Sequence, residues 1–234
     1  MDDEPDDSFP ILEPLWDGVW HAPRVLRPLG LRLDVRMTVI RLRDGGLFLH
    51  SPVKLDDETR NALDALGTVR FVVAPNRMHH LFLGSYGDAF PDARVFAAPG
   101  LADKRPDLRF HGILDDAAAP EWHEEIDQRL VHGVPTLNEA VFFHRATRTL
   151  LLTDLAFNVA ADVPAWTAIV MRLNGALGRF GPTRLFRLLV RDRSALRASI
   201  DRILEWPIER ITVTHGAVIP AGGRESFRRA FEWV

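Results

Sequence analysis

The sequence predicts an α/β fold of mixed α/β and α+β character, with two sheets flanked by helices. Three observations predict it: a strong β-hairpin signal near the start, an alternation of helix and strand patterns after it, and a later group of short strands. We expect one domain over residues 11–234, because the last strand has the pattern of a sheet member and not of a new core.

The first clear element is a hairpin followed by a helix. The stretch "RLDVRMTVIRLRDGGLFLHS" alternates apolar and polar residues on either side of a DGG turn at residues 44–46. The next stretch, "LDDETRNALDALG", has a helical pattern. Asp56 or Asp57 is the expected N-cap, and Gly67 stands where a glycine commonly follows a helix.

Strands and helices then alternate. "TVRFVVA" predicts a strand buried on both faces, and the segment from Met78 to about Tyr86 is expected to be helical. "ARVFAAP" predicts the next strand, with a short helix near residues 100–104. "RLVHGV", "EAVFFHR" and "RTLLLTD" predict three more strands, the last two joined by a tight turn at residues 146–147.

The stretch 164–206 has a helical pattern that is broken by the Gly-Pro pair at 181–182. Between Pro164 and Ile200 it carries seven arginines and one acidic residue, Asp192. Amphipathic helices that pack on the core with arginines in water are the ordinary interpretation. A lid over a site, a homodimer contact and a membrane-surface helix stay open. The chain closes with a strand, "RITVTHGAVI", and an amphipathic helix.

Composition narrows the classes of function. The formal net charge of the 234 residues is −3, whereas a dedicated nucleic-acid binder is usually basic. The chain has no cysteine, so thiolate metal sites and a cysteine nucleophile are excluded. Residues 1–10 have the composition of a disordered acidic leader and lack a signal-peptide pattern. No apolar run is long enough to span a membrane. We therefore expect a cytoplasmic protein.

Several polar residues share one placement, directly after an apolar strand. Asn76, His79 and His80 follow "FVVAP", Asp154 follows "TLLLT", and His215 follows "ITVT". Loops from different strand ends often converge in layered α/β proteins. Three histidines and a carboxylate are enough to bind zinc, iron or manganese. Capping and hydrogen-bonding roles suit the same residue types, so the pattern alone leaves both interpretations open.

Taken in order, these segments resemble the metallo-β-lactamase superfold, and more closely its divergent branch, the DUF4336 family. The motifs that carry the resemblance are "RMTVIRL", "GGLFLHSPV", "VAPNRMHH", "EAVFFHRATRTLLLTDLAFN" and the final "HG". The resemblance runs from about Leu15 to the C-terminus. It implies a four-layer αβ/βα sandwich with a helical insertion near 164–206 and a metal site between the two sheets at one edge.

The resemblance also implies a reduced metal site. In the superfold an H-x-H-x-D-H motif follows a strand, and "PNRMHH" occupies its place here. Pro75 and Arg77 replace two ligand histidines, and neither residue ligates a metal. His79 replaces the aspartate. One of two metal positions is therefore expected to be lost. The implied ligands of the remaining ion are His79, His80, Asp154 and His215.

Three further positions follow from the resemblance. For the mid-chain histidine of the superfold, His132 is near in sequence, but Thr136 and Glu139 fit the spacing equally well. Asn76 and Glu139 are expected to be auxiliary ligands or groups that support the ligands. Ser51 stands where the superfold often has an aspartate that orients a ligand histidine.

The implied function is a metal-dependent hydrolase that uses a metal-bound hydroxide on a small ester, lactone, thioester or phosphoester. It would bind one divalent ion, for which zinc is the preferred candidate and iron and manganese are alternatives. Asp154 would hold the ion and accept a proton from water, and Arg77 would hold an anionic group of the substrate. Two other functions stay open: a catalytically degenerate binding protein on the same fold, and an iron-type oxidoreductase.

Overall fold

A computed structural model describes residues 10–234 of the chain. The predicted acidic leader, residues 1–10, lies outside the described residues except for Pro10.

The described residues contain a succession of short strands. In chain order they are β1 (Glu13–Trp16), β2 (Val19–Leu26), β3 (Leu33–Arg41), β4 (Gly46–His50), β5 (Thr68–Ala74), β6 (Arg94–Ala97), β7 (Gly112–Ile113), β8 (Ile126–Leu130), β9 (Ala140–His144), β10 (Thr149–Leu152), β11 (Phe157–Val159), β12 (Arg179–Gly181) and β13 (Arg210–Val213).

Helices occupy the connections between these strands. They are α1 (Asp57–Leu66), α2 (Leu83–Ala89), α3 (Leu101–Lys104), α4 (Ala165–Leu173), α5 (Arg184–Leu189), α6 (Arg193–Leu204) and α7 (Gly223–Ala230). Within residues 10–234, none of them is both long and apolar enough to cross a lipid bilayer.

The strands form two main sheets and a small ribbon. The first sheet runs in the order β1-β2-β3-β4-β5-β6-β7, antiparallel from β1 to β4 and parallel from β4 to β7. The second sheet runs in the order β13-β10-β9-β8, with β13 parallel to β10 and the other pairs antiparallel. Strands β11 and β12 pair as a separate ribbon.

Three apolar layers hold these elements together, as the predicted four-layer sandwich requires. The layer between the sheets contains the aromatic rings of Phe48, Phe71, Phe96, Trp122 and Phe142, which meet edge to face. The outer face of the first sheet is covered by α1, α2 and α3. The outer face of the second is covered by α5, α6 and α7. The predicted fold class is therefore confirmed.

The early elements follow the sequence signals closely. The hairpin is β3 and β4, and α1 begins after Asp56, whose carboxylate accepts the N–H of Thr59. Gly67 follows the helix in an extended conformation and not in the left-handed one. Glycine is required there for space, since a Cβ atom would lie 2.3 Å from the carbonyl oxygen of Gly45.

The helix expected from Met78 to about Tyr86 begins later than predicted. Helix α2 starts at Leu83, and residues 75–82 form a loop. The physical reason is Asn76, whose side-chain oxygen accepts the N–H groups of Met78 and His79 at 2.8 and 3.0 Å. These donors are thereby held in a tight local turn instead of a helix.

Two later predictions also need correction. The strand expected in "RLVHGV" lies earlier, as β8, which ends at Leu130. The last four residues of that segment, 131–134, are therefore outside the sheet. The stretch 164–206 contains three helices broken near 181–182 as predicted, but it also contributes β12, which the helical pattern hid.

Candidate metal centre

The carboxyl ends of four parallel strands meet at one edge of the sandwich. Strands β4 and β5 are neighbours in the first sheet, and β10 and β13 are neighbours in the second. Ser51, His79, Asp154 and His215 follow these strands in that order and line one cavity. Of the polar residues that the sequence places after strands, His79, Asp154 and His215 thus meet at this edge, together with Ser51.

Asn76 fixes the loop that carries His79. Its side chain is fully buried, and its oxygen accepts two backbone N–H groups of the loop. Its amide nitrogen donates to Asp154 Oδ2 at 2.8 Å and to Glu139 Oε2 at 3.2 Å. The side-chain oxygen of Asn76 thus holds the loop after β5, and its amide nitrogen joins that loop to the second sheet, which places His79 opposite Asp154.

Glu139 performs the same task for the loop after β10. Its buried carboxylate accepts the backbone N–H groups of Thr153, Asp154 and Leu155 at 2.8, 2.8 and 2.9 Å. Burial and the negative charge of Asp154 raise the pKa of Glu139 to about 7, while the N–H donors act in the opposite direction. Glu139 therefore orients Asp154 through the backbone.

His79, Asp154 and His215 form the centre of the site. His79 Nε2 lies 3.2 Å from Asp154 Oδ2, and His215 Nε2 lies 3.2 Å from Asp154 Oδ1. The two Nε2 atoms are 3.3 Å apart. The three side chains can each offer one ligand atom within 4.8 Å of the others.

Contacts behind the two imidazoles set their orientation. His215 Nδ1 donates to the carbonyl oxygen of Asp34 at 3.3 Å, so its Nε2 carries the lone pair when the ring is neutral. The ring of Phe157 stacks on that of His215, with centroids 4.4 Å apart. Ser51 Oγ lies 2.8 Å from His79 Nδ1, in the orienting position that the resemblance implies for it.

The charges of neighbouring groups strongly affect the ionisation of His79 and Asp154. Burial acts to raise the pKa of Asp154, but His79 and His215 outweigh it, and the pKa lies well below its ordinary value. Burial acts to lower the pKa of His79, whereas Asp154 and Glu139 raise it overall. Asp154 is therefore ionised, and a positive charge between it and the imidazoles is favourable.

The donor set fits a divalent metal ion. Ligand atoms that are about 2.0–2.1 Å from a tetrahedral zinc ion lie about 3.3 Å from one another. The distances between the facing nitrogen and oxygen atoms are 3.2, 3.2 and 3.3 Å, although the two distances to Asp154 involve different oxygens. Two lone-pair nitrogens that face a carboxylate this closely require a cation, either a proton or a metal ion. Three protein ligands leave one tetrahedral position open, as in catalytic zinc sites.

Gly216 permits the close approach that holds His215. A Cβ atom at Gly216 would lie 2.1 Å from the carbonyl oxygen of Asn158, and the residue has a φ of +104°. Asn158 N–H in turn donates to the carbonyl oxygen of His215 at 2.9 Å. The segment after β13 is therefore fixed against β11 by a contact that only glycine allows.

The predicted ligand His80 and the possible auxiliary residue His132 lie elsewhere. His80 turns away from the cluster, with its Nδ1 3.1 Å from a guanidinium nitrogen of Arg105. Burial and the charges of Lys104 and Arg105 lower its pKa. His132 is hydrogen-bonded to Asp116 at 2.9 Å and is half exposed. The structure thus brings together His79 and not its neighbour His80, because adjacent residues in a tight turn point in different directions.

Arg77 also points away from the cluster. Its guanidinium group lies over Gly100, and its carbonyl oxygen accepts a hydrogen bond from the Lys104 ammonium group at 2.9 Å. Neither Arg77 nor any other lysine or arginine of residues 10–234 lines the cavity described next. The expectation that Arg77 holds an anionic group of the substrate therefore has no support from its position.

A cavity of about 450 Å³ opens beside the three clustered side chains. Apolar side chains from the first sheet, from loops at the edge of the sandwich and from α5 form most of its wall, among them Leu33, Val35, Val53, Phe186 and Leu189. Thr136, one of the alternatives for the mid-chain position, also lines it, whereas Glu139 is buried behind Asp154. The cavity is thus an apolar chamber with a polar, charged floor.

Sequence reasoning missed several residues that shape this site. Asp34 contributes only its backbone carbonyl, which no residue pattern reveals. Phe157 begins β11, three residues after Asp154, and its aromatic side chain in "TDLAFN" is the one local signal that was available. Phe186 and Leu189 belong to the stretch of helices whose packing the sequence does not specify.

Comparison with solved structures identifies the fold class. The chain is similar to a metallo-β-lactamase from Pontibacter korlensis, with a TM-score of 0.64, 10% identity, and 94% of this chain and 98% of that chain covered. It is similar to the metallo-β-lactamase FIM-1 from Pseudomonas aeruginosa in its mono-zinc form, with a TM-score of 0.66, 11% identity, and 97% and 95% covered. It is also similar to a metallo-β-lactamase from Erythrobacter litoralis, with a TM-score of 0.62, 14% identity, and 94% of this chain and 90% of that chain covered. The fold is therefore that of the metallo-β-lactamases.

The family is narrower than the fold. The model of the domain of unknown function DUF4336 matches residues 17–177, and the chain belongs to this family. The matched segment includes His79 and Asp154 but ends before His215. The comparison with curated proteins found no match.

Proposed function

We propose that this protein is a metal-dependent hydrolase with a single divalent ion held by His79, Asp154 and His215. The observation that carries the proposal is the set of two imidazole nitrogens and one carboxylate, spaced 3.2–3.3 Å apart at the floor of a cavity. The metallo-β-lactamase fold of the chain, shared with FIM-1 in its mono-zinc form, supports it. Zinc suits the donor set, and iron and manganese are alternatives.

A bound divalent ion would supply a Lewis acid that lowers the pKa of water from 15.7 toward about 7. The residues of the chain have separate tasks. Asp154 stays ionised because its pKa is low, and Oδ1 is the oxygen that Asn76 leaves free to accept a proton. Ser51 and the Asp34 carbonyl group hold the imidazoles in place, and Phe157 excludes water from one face of His215.

The cavity favours a neutral, apolar substrate within the predicted range of esters, lactones, thioesters and phosphoesters. Its wall is largely apolar, and none of the described lysines or arginines lines it. An acyl chain would therefore bind there at little cost, whereas a phosphate dianion would lose much of its hydration and find no cationic side chain in the wall to pair with. We accordingly expect carboxylic esters, lactones and thioesters with an apolar acyl group to be the best substrates, and phosphoesters the poorest.

Hydrolysis assays test this function directly. The protein, stripped with a chelator and reloaded with zinc, manganese or iron(II), is assayed with p-nitrophenyl esters, acyl lactones and acyl thioesters of increasing chain length. We expect activity that depends on the metal and on Asp154, with kcat/KM rising with chain length. Activity on phosphate monoesters alone would contradict the substrate assignment, and binding of acyl chains without turnover would assign the site to a binding protein.

An iron-type oxidoreductase is the second candidate. Two histidines and one carboxylate with open positions are also the ligand set of many non-haem iron(II) oxygenases. The observation that favours it is the same His79, Asp154 and His215 group. Iron as the metal of the purified protein, together with dioxygen consumption and no hydrolysis, would decide for this candidate.

A further inference from the structure

Large apolar side chains are exposed mainly on one face of the protein. Among residues 10–234, nine such side chains are well exposed, and eight of them belong to this face; Ile113 is the ninth. We call it the mouth face, because several of its residues line the opening of the apolar cavity. Its apolar residues are Leu29, Met78, Leu81, Trp166, Ile169, Leu173, Leu185 and Leu188.

These residues form one continuous surface. Trp166, Ile169 and Leu173 recur at three- and four-residue intervals on α4, so they share one side of the helix. The Trp166 ring nitrogen donates to the carbonyl oxygen of Leu29 at 3.4 Å, which joins Leu29 to that side. The opposite side of α4 is buried at Thr167 and Met171.

The surface continues from α4 to the cavity. Asn174, directly after α4, accepts the N–H groups of Arg184 and Leu185 through its backbone and side-chain oxygens at 2.7 and 3.0 Å. Leu185 and Leu188 are one turn apart on α5, and Leu188 is 80% exposed. Met78, Leu81 and Leu185 line the cavity opening together.

A group of arginines borders this apolar surface. Arg172, Arg179, Arg184 and Arg187 line one open depression between α4, β12 and α5. No carboxylate in the described part of the chain lies within ion-pair distance of these four guanidinium groups. Partial burial, and after it the charges of Arg179 and Arg184, lower the pKa of Arg187. The arginines therefore repel one another and favour an anionic partner.

We propose that the mouth face docks on an anionic lipid bilayer. Exposed leucines and a tryptophan that project from short helices, bordered by arginines that have no carboxylate partner, have the chemistry of an interfacial surface: apolar groups enter the acyl boundary, and guanidinium groups bind phosphate headgroups. The apolar cavity opens on the same face, so docking would place its entrance against the bilayer. This inference concerns binding and does not depend on hydrolysis.

A second copy of the chain is a weaker match for the same face. In a symmetric dimer this surface meets its own copy, and the eight apolar residues and four arginines that form it include no carboxylate. Burying these positive charges against a surface that supplies no negative charge is unfavourable. An anionic bilayer satisfies the arginines and the leucines at once, whereas a second copy satisfies only the leucines.

Vesicle sedimentation tests the proposal with the full chain. The protein is mixed with vesicles of phosphatidylcholine alone, or of equal parts phosphatidylcholine and phosphatidylglycerol, and the pelleted fraction is measured at low and high salt. We expect binding to the anionic vesicles that weakens as salt is added, and little binding to the neutral ones. Equal binding to both compositions, or none to either, would overturn the proposal.

Paired variants separate the contributions of charge and apolar contact. Arg172→Gln/Arg187→Gln should weaken vesicle affinity by a factor on the order of thirty, since each basic residue near an anionic surface contributes about a fivefold gain. Ile169→Ser/Leu188→Ser should weaken it at least as much. The matched controls are Arg60→Gln/Arg109→Gln and Ile113→Ser, which remove exposed arginines or an exposed apolar side chain from other elements.

The outcomes are distinct. Loss of binding in both mouth-face variants with wild-type binding in the controls supports the bilayer. Equal losses in variants and controls would overturn it. A concentration-dependent dimer by analytical ultracentrifugation that Leu188→Ser abolishes, with no vesicle binding, would assign the face to a second copy. Failure of vesicle binding leaves the hydrolase proposal untouched, because metal content and hydrolysis are measured without lipid.

Discussion

The amide nitrogen of Asn76 donates to Asp154 Oδ2 across 2.8 Å and so joins the two sheets at their shared edge. Asn76 follows a strand of the first sheet and Asp154 a strand of the second, and both side chains are held by further hydrogen bonds. The geometry of the proposed metal centre therefore depends on a residue that is not one of the three proposed ligands. Groups that orient ligands in this way commonly change metal affinity tenfold to about a hundredfold when they are removed.

Asn76→Ala should lower metal affinity by a factor of ten to about a hundred. It removes the hydrogen bond to Asp154 and releases the turn that presents His79. Metal affinity is measured by competition with a chromophoric chelator. Asn61→Ala, which removes an exposed amide from α1, is the matched control and should bind metal like the wild type. Equal affinity of Asn76→Ala and the wild type would remove Asn76 from the account.

Glu139→Gln should lower the free energy of unfolding by about 1–3 kcal/mol. An amide cannot accept hydrogen bonds at both of its terminal atoms, so at least one of the buried N–H groups of Thr153, Asp154 and Leu155 loses its acceptor. Urea denaturation measures the loss. Glu209→Gln, which breaks an exposed ion pair with Arg148, should cost less than about 1 kcal/mol. Similar losses in both variants would show that Glu139 has no special role.

Gly216→Ala should both destabilise the fold and weaken metal binding. The new Cβ would clash with the carbonyl oxygen of Asn158 and move His215, at a backbone conformation that alanine rarely adopts. We expect a loss of more than about 2 kcal/mol. Gly222→Ala has a similarly positive φ but open space around the Cβ, so it isolates the cost of the backbone, about 1 kcal/mol. Equal stability of the two variants would exclude the clash.

His144 should make stability depend on pH. Burial lowers the pKa of its imidazole from 6.5 to about 4. The unfolded chain therefore binds more protons than the folded one between these values. The contribution is fully present above pH 6.5 and is lost as the pH falls toward 4, by about 1.4 kcal/mol per pH unit.

The measurement is chemical denaturation at successive pH values, compared between the wild type and His144→Asn. The variant should lose that part of the pH slope, and the difference should be confined to the window from pH 6.5 to 4. His123→Asn, which changes an exposed imidazole, is the matched control. An unchanged slope in His144→Asn would mean that His144 titrates alike in the folded and unfolded states.

The sequence indicated the location of the site more accurately than the side chains that form it. Asp154 and His215 follow apolar strands, and because β10 and β13 are parallel neighbours, their carboxyl ends bring these residues together. The choice between His79 and His80 depends on the turn that Asn76 imposes, and a pattern of residue types does not specify it. The expected ligand His80 therefore lies outside the cluster, beside Arg105.

The cavity could not be predicted for a related reason. Its wall combines β3, the loop after β4 and α5, which are far apart in sequence. The helical pattern of 164–206 predicted amphipathic helices, but exposed leucines and buried phenylalanines follow from packing that involves the rest of the chain. Arg77 shows the same limit, since its sequence position beside the ligands does not give its direction.

The central claim is that His79, Asp154 and His215 bind one metal ion. It is tested most directly by the metal content of protein purified without chelator and reconstituted, measured by plasma mass spectrometry for the wild type, His79→Ala and His80→Ala. We predict about one ion per chain in the wild type and in His80→Ala, and none in His79→Ala. Metal retained in His79→Ala, metal lost in His80→Ala, or no metal in the wild type would contradict the account.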